Sequence, residues 1–141
     1  MIAIGIDIVT ISRFHSWCHA SDQQLAVLFS PYEREQLLLR QDQPLASQAA
    51  YLASRFAAKE AFYKALSSWL AQHNQTEHSF SFKRCAPHVW VACTGVWKLP
   101  HLFYDKEAIQ NMVGGAFVPF LAQVTLSHEE QQAVAQVVLS T

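Results

Sequence analysis

The segment ASRFAAKEAFYKAL, residues 53–66, sets two cations, a carboxylate and a further lysine in a frame of small and aromatic residues. Few folds can accept that combination. Read as a helix, Glu60 and Lys64 lie four residues apart, one above the other on one face. Arg55 lies one turn back and toward the other side. The neighbours Phe56, Ala57, Ala61 and Phe62 predict a mostly buried helix. An ionised carboxylate and an ammonium on such a helix are costly unless paired, hydrogen-bonded or coordinated. A second acid in an apolar frame stands far away, in MIAIGIDIV at residues 1–9, where Asp7 is the only charge in a strand-like run. Two isolated acids, with cations nearby, point to a site for a divalent metal and an anionic substrate. Each also has a plainer reading. Asp7 suits an acid capping the helix that follows its strand. Glu60 and Lys64 suit an exposed pair worth about 0.3–0.5 kcal/mol. His128, in LSHEEQQAVA, reads by itself as a turn histidine, and Arg13 and Arg55 say nothing individually.

A chain of 141 residues fits one domain spanning 1–141, with enough length to bury a core. Hydrophobic content of 51% against 15% charged excludes general disorder, and so little charge is compatible with apolar surface covered by another subunit. A net charge of −1 gives no basic field for nucleic acid or membrane. No apolar run approaches a membrane span, and no basic stretch followed by an apolar one marks a signal peptide. Cys18, Cys85 and Cys93 are odd in number and form no CxxC pair, as expected of free thiols in a cytoplasmic protein.

Along the chain, residues 2–9 read as a buried strand, and Ser12 as the cap of a helix through roughly residue 28. SPYERE gives a sharper start, with Ser30 as N-cap, Pro31 in the first turn and Glu33 closing a capping box. That helix is expected to end near Arg40. The central helix runs from about Ser47 to about Gln72, and the polar AQHNQTEH (71–78) reads as a loop. HSFSFKR (78–84), HVWVACT (88–94), AQVTLSH (122–128) and QAVAQVVLS (132–140) alternate like strands. DKEAIQNM suits a short helix and VGGAFVPF a loop; the rest of 100–121 gives no clear signal. The sum is an α+β fold, with helices packed on one face of a mainly antiparallel sheet.

No Ser/His/Asp set, Walker loop, dinucleotide fingerprint or zinc-spaced histidine pair is present. Two carboxylates suit magnesium, which takes one or two acids together with substrate phosphates. The segments GIDIVTISRF (5–14), SRFAAKEAFYKAL (54–66) and VTLSHEEQQAVAQVVL (124–139) together resemble the holo-acyl-carrier-protein synthases, the small class of 4′-phosphopantetheinyl transferases. They stand in that family's order and spacing. Two departures are visible. The compact Gly-Lys-Pro usual before the last strands is expanded here to GVWKLP, Gly95 to Pro100, and the first helix is poor in basic residues, with His15 and His19 following Arg13.

The resemblance implies transfer of the phosphopantetheine arm of coenzyme A to a serine of an acyl carrier protein, with adenosine 3′,5′-bisphosphate as the other product. It implies Mg²⁺ on Asp7 and Glu60, Lys64 on the phosphates, Arg55 and His128 on coenzyme A, and Arg13 at the carrier-docking face. The general base is left among Glu60, Lys64 and a metal-bound water, with Glu60 or a water it orients favoured. Lys59, about 100° around the helix from Glu60, should matter less directly. The family implies a homotrimer with sites between subunits. A non-catalytic coenzyme A or carrier-protein binder on the same scaffold, and a purely structural oligomer, are the rival readings.

Overall fold

The computed structural model describes residues 1–74, 80–114 and 117–141. Alternation of small and branched residues builds the first strand, β1 (Ile2–Thr10). Ala3, Gly5, Asp7 and Val9 turn toward the core, whereas Ile2, Ile4, Ile6 and Ile8 turn outward and are 56–60% exposed. The chain then departs from the long helix expected between Ser12 and residue 28. It makes two 3₁₀ turns, Ile11–Phe14 and Ser16–His19, and a short helix α1 (Asp22–Leu25). Ser12 caps nothing, because it lies inside the first turn, which is pinned where the Ile11 N–H donates to the Gln131 carbonyl at 2.9 Å. The start signal sits further on, in the capping box of Ser21 and Gln24.

Helix α2 (Pro31–Leu38) begins with the expected capping box. The Ser30 N–H donates to Glu33 Oε1 at 2.9 Å, and the Glu33 N–H to Ser30 Oγ at 3.3 Å. The central helix, α3 (Leu45–Gln72), matches its expected span closely. Next, α4 (Phe82–Cys85) replaces the strand expected over 78–84: Ser81 Oγ accepts from the Arg84 N–H at 3.3 Å and starts a helical turn. His78 and Ser79, like 75–77 of the expected loop, lie outside the described residues. After a 3₁₀ turn at Ala86–His88 come β2 (Val89–Thr94) and β3 (Leu99–Tyr104), an antiparallel hairpin. Strand β3 gave no signal in the sequence because Pro100 interrupts it; in a two-stranded sheet a missing ladder donor is tolerated.

Helix α5 (Lys106–Val113) is capped by Asp105, whose Oδ1 accepts from the Ala108 N–H at 3.0 Å. Residues 117–120 carry no regular structure, as expected, and 115–116 lie outside the described residues. β4 (Leu121–His128) and β5 (Gln132–Ser140) complete a three-stranded antiparallel sheet in the order β1-β5-β4. The α+β expectation holds, with the strands divided between this sheet and the β2-β3 hairpin. Helix α3 packs across one face of the larger sheet. Its contact face is a run of buried alanines: Ala53, Ala57, Ala61 and Ala65. These let backbone meet backbone. A Cβ placed on Gly5 would lie 1.9 Å from the Ala61 carbonyl oxygen and 2.7 Å from the Ala65 nitrogen. Only glycine permits the crossing.

The buried cation of α3 is Lys59, not Lys64. Lys59 and Glu33 are both fully buried, with Nζ 2.6 Å from Oε1. Nζ also donates to the Ala86 carbonyl at 2.8 Å and to the Val89 carbonyl. Burial holds the amine below its ordinary pKa, and the Glu33 carboxylate opposes that shift. One ammonium therefore ties α2, α3 and the entry to β2.

Candidate active site

Two residues beyond Gly5, on the same face of β1, Asp7 arrives beside the Glu60–Lys64 turn of α3. Lys64 Nζ donates to Asp7 Oδ1 at 2.9 Å and to the Ile6 carbonyl at 3.0 Å. Asp7 therefore does not cap the next helix; its partner is 57 residues away. Its side chain is 15% exposed, that of Lys64 49%. Asp7 Oδ2 is buried and has no hydrogen-bond partner among the described residues. Glu60 is half-buried, and its carboxyl is pushed up first by burial and then by the charge of Asp7, while Lys64 and Arg13 pull it down. The two acids thus face one another closely enough to repel. The sequence placed Lys64 in apolar surroundings; in the fold it stands at the rim, half in solvent.

Arg13 sits exposed on the first 3₁₀ turn, its guanidinium carbon 5.7 Å from the Phe56 ring centroid and 5.9 Å from that of Phe14. His15 and His19 are exposed nearby. Neither packs into the core.

Arg55 and His128 meet elsewhere. They line a cleft of about 640 Å³ between the first half of α3 and the β4–β5 turn, together with Ser47, Tyr51, Ser54 and Glu129. Arg55 is held on several sides. Its guanidinium carbon lies 4.4 Å from the Tyr51 ring centroid, Nη1 donates to Ser54 Oγ at 3.0 Å, and Nη2 approaches Cys93 Sγ at 3.8 Å. Its Nε is buried without a partner among the described residues. The structure thus sorts the residues singled out in the sequence into two groups on one helix. Asp7, Glu60, Lys64 and Arg13 cluster at the strand crossing, and Arg55 and His128 share the cleft. Five residues separate Arg55 from Glu60, a rise of about 7.5 Å.

The sequence reading missed Tyr51, Ser54 and Cys93. Tyr51 had a usable signal, since it stands four residues before Arg55 and one turn below it. Cys93 had none, because its approach depends on where the hairpin folds.

The chemistry of this donor set fits a divalent cation. An orphaned buried carboxylate oxygen, a second acid repelled by the first, and only partial compensation by Lys64 are the features such an ion relieves. Among the described residues no cluster of three or more acids, histidines or cysteines forms. Two carboxylates are few ligands, and magnesium can take one or two when substrate phosphates supply the rest.

Residues 3–114 match the model of the 4′-phosphopantetheinyl transferase superfamily. A protein of Trichlorobacter lovleyi named holo-[acyl-carrier-protein] synthase is 36% identical over 142 residues, covering 99% of this chain and 97% of that protein. Its namesake in Treponema pallidum is 32% identical over 141 residues, covering 99% and 95%. The Helicobacter pylori holo-[acyl-carrier-protein] synthase, solved in complex with coenzyme A, superposes with a TM-score of 0.62 at 26% identity, covering 97% of this chain and 99% of that one. An ACPS–CoA complex from Chronobacterium ammoniagenes shares the fold with a TM-score of 0.73 at 23% identity, covering 99% and 97%. The acid–lysine crossing, the Arg55–His128 cleft and these matches agree: the chain belongs to the 4′-phosphopantetheinyl transferase superfamily, as an enzyme of its holo-[acyl-carrier-protein] synthase class.

Proposed function

We propose that this protein transfers the 4′-phosphopantetheine group of coenzyme A to a serine hydroxyl of an apo acyl carrier protein. Adenosine 3′,5′-bisphosphate is released, and the reaction depends on Mg²⁺. The observation that carries the proposal is the meeting of Asp7, Glu60 and Lys64 at the Gly5 crossing, one and a half helical turns from an Arg55–His128 cleft. Coenzyme A carries phosphates at two places. A substrate lying along α3 can set its nucleotide end against Arg55 and His128 and its pyrophosphate near Lys64.

The serine oxygen attacks the pyrophosphate phosphorus that bears the pantetheine arm. A new P–O bond forms to serine, the bridging P–O bond breaks, and its electron pair leaves with the nucleotide. The residues position groups and neutralise charge, and no covalent enzyme intermediate is needed. Glu60, or a water it orients, takes the serine proton. Lys64, half exposed at the rim, turns from Asp7 toward the phosphates. Asp7 and Glu60 would hold Mg²⁺, which supplies charge stabilisation of the phosphate oxygens. The test is mass spectrometry of an apo carrier protein incubated with this protein, coenzyme A and Mg²⁺. Gain of one phosphopantetheine is expected. Binding of coenzyme A without that gain would favour the non-catalytic binder, and no binding at all the structural oligomer.

The assembly belongs to the same reading. Ile2, Ile4, Ile6 and Ile8 form an exposed aliphatic row on the sheet face away from α3. The register sets Val138 opposite Ile4 and Val134 opposite Ile8. Such a row calls for a covering surface, and a homotrimer with residues 1–141 as one domain per subunit supplies it. Light scattering should give three subunits. A fully active monomer at assay concentration would remove the trimer and any shared site.

Carrier docking is assigned to the exposed Arg13 face, in a cytoplasmic enzyme serving fatty acid biosynthesis. Acidic carriers are steered by basic surface, and steering fades with salt. The Michaelis constant for the carrier should rise with salt and rise several-fold in Arg13→Ala. An unchanged constant in the variant, with no salt dependence in the wild type, rules out this face.

A further inference from the structure

We infer that Tyr51 is a positioning residue for coenzyme A binding, fixing the Arg55 guanidinium through the face of its ring. The inference rests on the reading of the Arg55–His128 cleft as the coenzyme A site. Tyr51 lies one turn before Arg55 on α3, where side chains four apart stack. The Arg55 guanidinium carbon is 4.4 Å from the ring centroid, within the range where the π face attracts a cation. A second guanidinium, that of Arg40, lies over the same ring at 4.2 Å. Arg40 is itself anchored, its Nη1 donating to the Gln36 carbonyl at 2.9 Å and to Gln36 Oε1 at 3.1 Å. Two guanidinium groups therefore lie against this one ring.

The ring is 6% exposed, held against two guanidinium groups. Its hydroxyl is buried without a partner among the described residues and stays protonated, because burial raises its pKa. The hydroxyl is thus idle while the ring face is in use. The side chain of Ser54 completes the seat. Its hydroxyl donates to the Tyr51 carbonyl at 2.9 Å and accepts from Arg55 Nη1 at 3.0 Å. A fork held in this way loses little freedom when an anion arrives, and preorganisation of that kind appears as affinity.

The experiment measures coenzyme A binding by calorimetry and transfer by steady-state kinetics on the full chain, in Arg55→Ala, Tyr51→Leu, Tyr51→Phe and the double variant Arg55→Ala with Tyr51→Leu. Tyr51→Leu should weaken coenzyme A binding by about 3- to 30-fold, the range expected of a lost cation–π contact. KM for coenzyme A should follow, while kcat and KM for the carrier hold. Tyr51→Phe should restore the affinity. In the Arg55→Ala background, Tyr51→Leu should add nothing. Wild-type affinity in Tyr51→Leu, or the same loss with and without Arg55, overturns the inference while leaving the cleft assignment standing. Wild-type affinity in Arg55→Ala refutes the cleft assignment and this inference with it. Should Tyr51→Leu fail to fold, comparing Tyr51→Phe with its ring-fluorinated counterpart keeps the shape and weakens the π face. The fluorinated ring should lose affinity in the same direction, and an equal affinity of the two refutes the role.

Discussion

Alanine at Asp7 or at Glu60 should lower the rate of transfer by roughly a hundredfold or more, with the fold intact. Asp7 holds Lys64 at 2.9 Å and keeps one oxygen buried and unshared, and Glu60 faces it half-buried. Each acid has an electrostatic task that its neighbours cannot perform. Chelator should abolish activity and Mg²⁺ restore it; full activity in chelator would sink the metal assignment. Stability should move the other way from activity at Glu60. Burial and Asp7 hold its folded pKa above the ordinary carboxylate value, so its favourable contribution is complete at low pH and is lost as pH rises through the folded value. At neutral pH and without metal, Glu60→Gln should therefore unfold at or above the wild-type temperature while being nearly inactive. Mg²⁺ should raise the unfolding temperature of the wild type and not that of the variant. Thermal scans with and without chelator check both statements.

Lys59→Ala should cost about 3–5 kcal/mol of folding stability, because it strands the Glu33 carboxylate in the interior. The two backbone carbonyls that Lys59 serves would lose their donor as well. Lys59→Met alone should remain poor, since volume is kept but the carboxylate is still unpaired. Adding Glu33→Gln should recover much of the loss, because glutamine can keep the capping box while removing the charge. Urea titrations give the ordering. Lys64→Ala should show the opposite pattern, with stability nearly kept and turnover lost. If Lys59→Ala and Lys64→Ala lost the same activity at equal folded fraction, the division of labour between the two lysines would be wrong.

Local chemistry made much of this legible. Ser30, Pro31 and Glu33 announce a helix start that tertiary structure has no reason to override, and the fold keeps it. The alanine-rich run through residue 72 is long enough to be unambiguous. Asp7, Glu60 and Lys64 stood out because charge in an apolar frame demands a partner, and the fold brings them together. What was hidden depends on contacts distant in sequence. Glu33 was already explained by its cap, so its second engagement with Lys59 had no local sign. Phe80 and Phe82 alternate like a strand, yet a serine cap and only four residues decide for a helical turn. The 3₁₀ turns after β1 follow from the tie between Ile11 and Gln131, whose closeness only the sheet register creates.

The crossing at Gly5 has a consequence for how such an enzyme can change. The separation of Asp7 from Glu60 and Lys64 is set by main chain resting on main chain, at Ala61 and Ala65. No rotamer adjustment can absorb a methyl group there, so chemistry and architecture are inherited as one unit. A designer who wants a different donor or acceptor gains nothing by reshaping that contact. The freedom lies in the walls of the cleft and in the turns around Arg13, where side chains alone define the surface and the distance between reacting groups is left as it was.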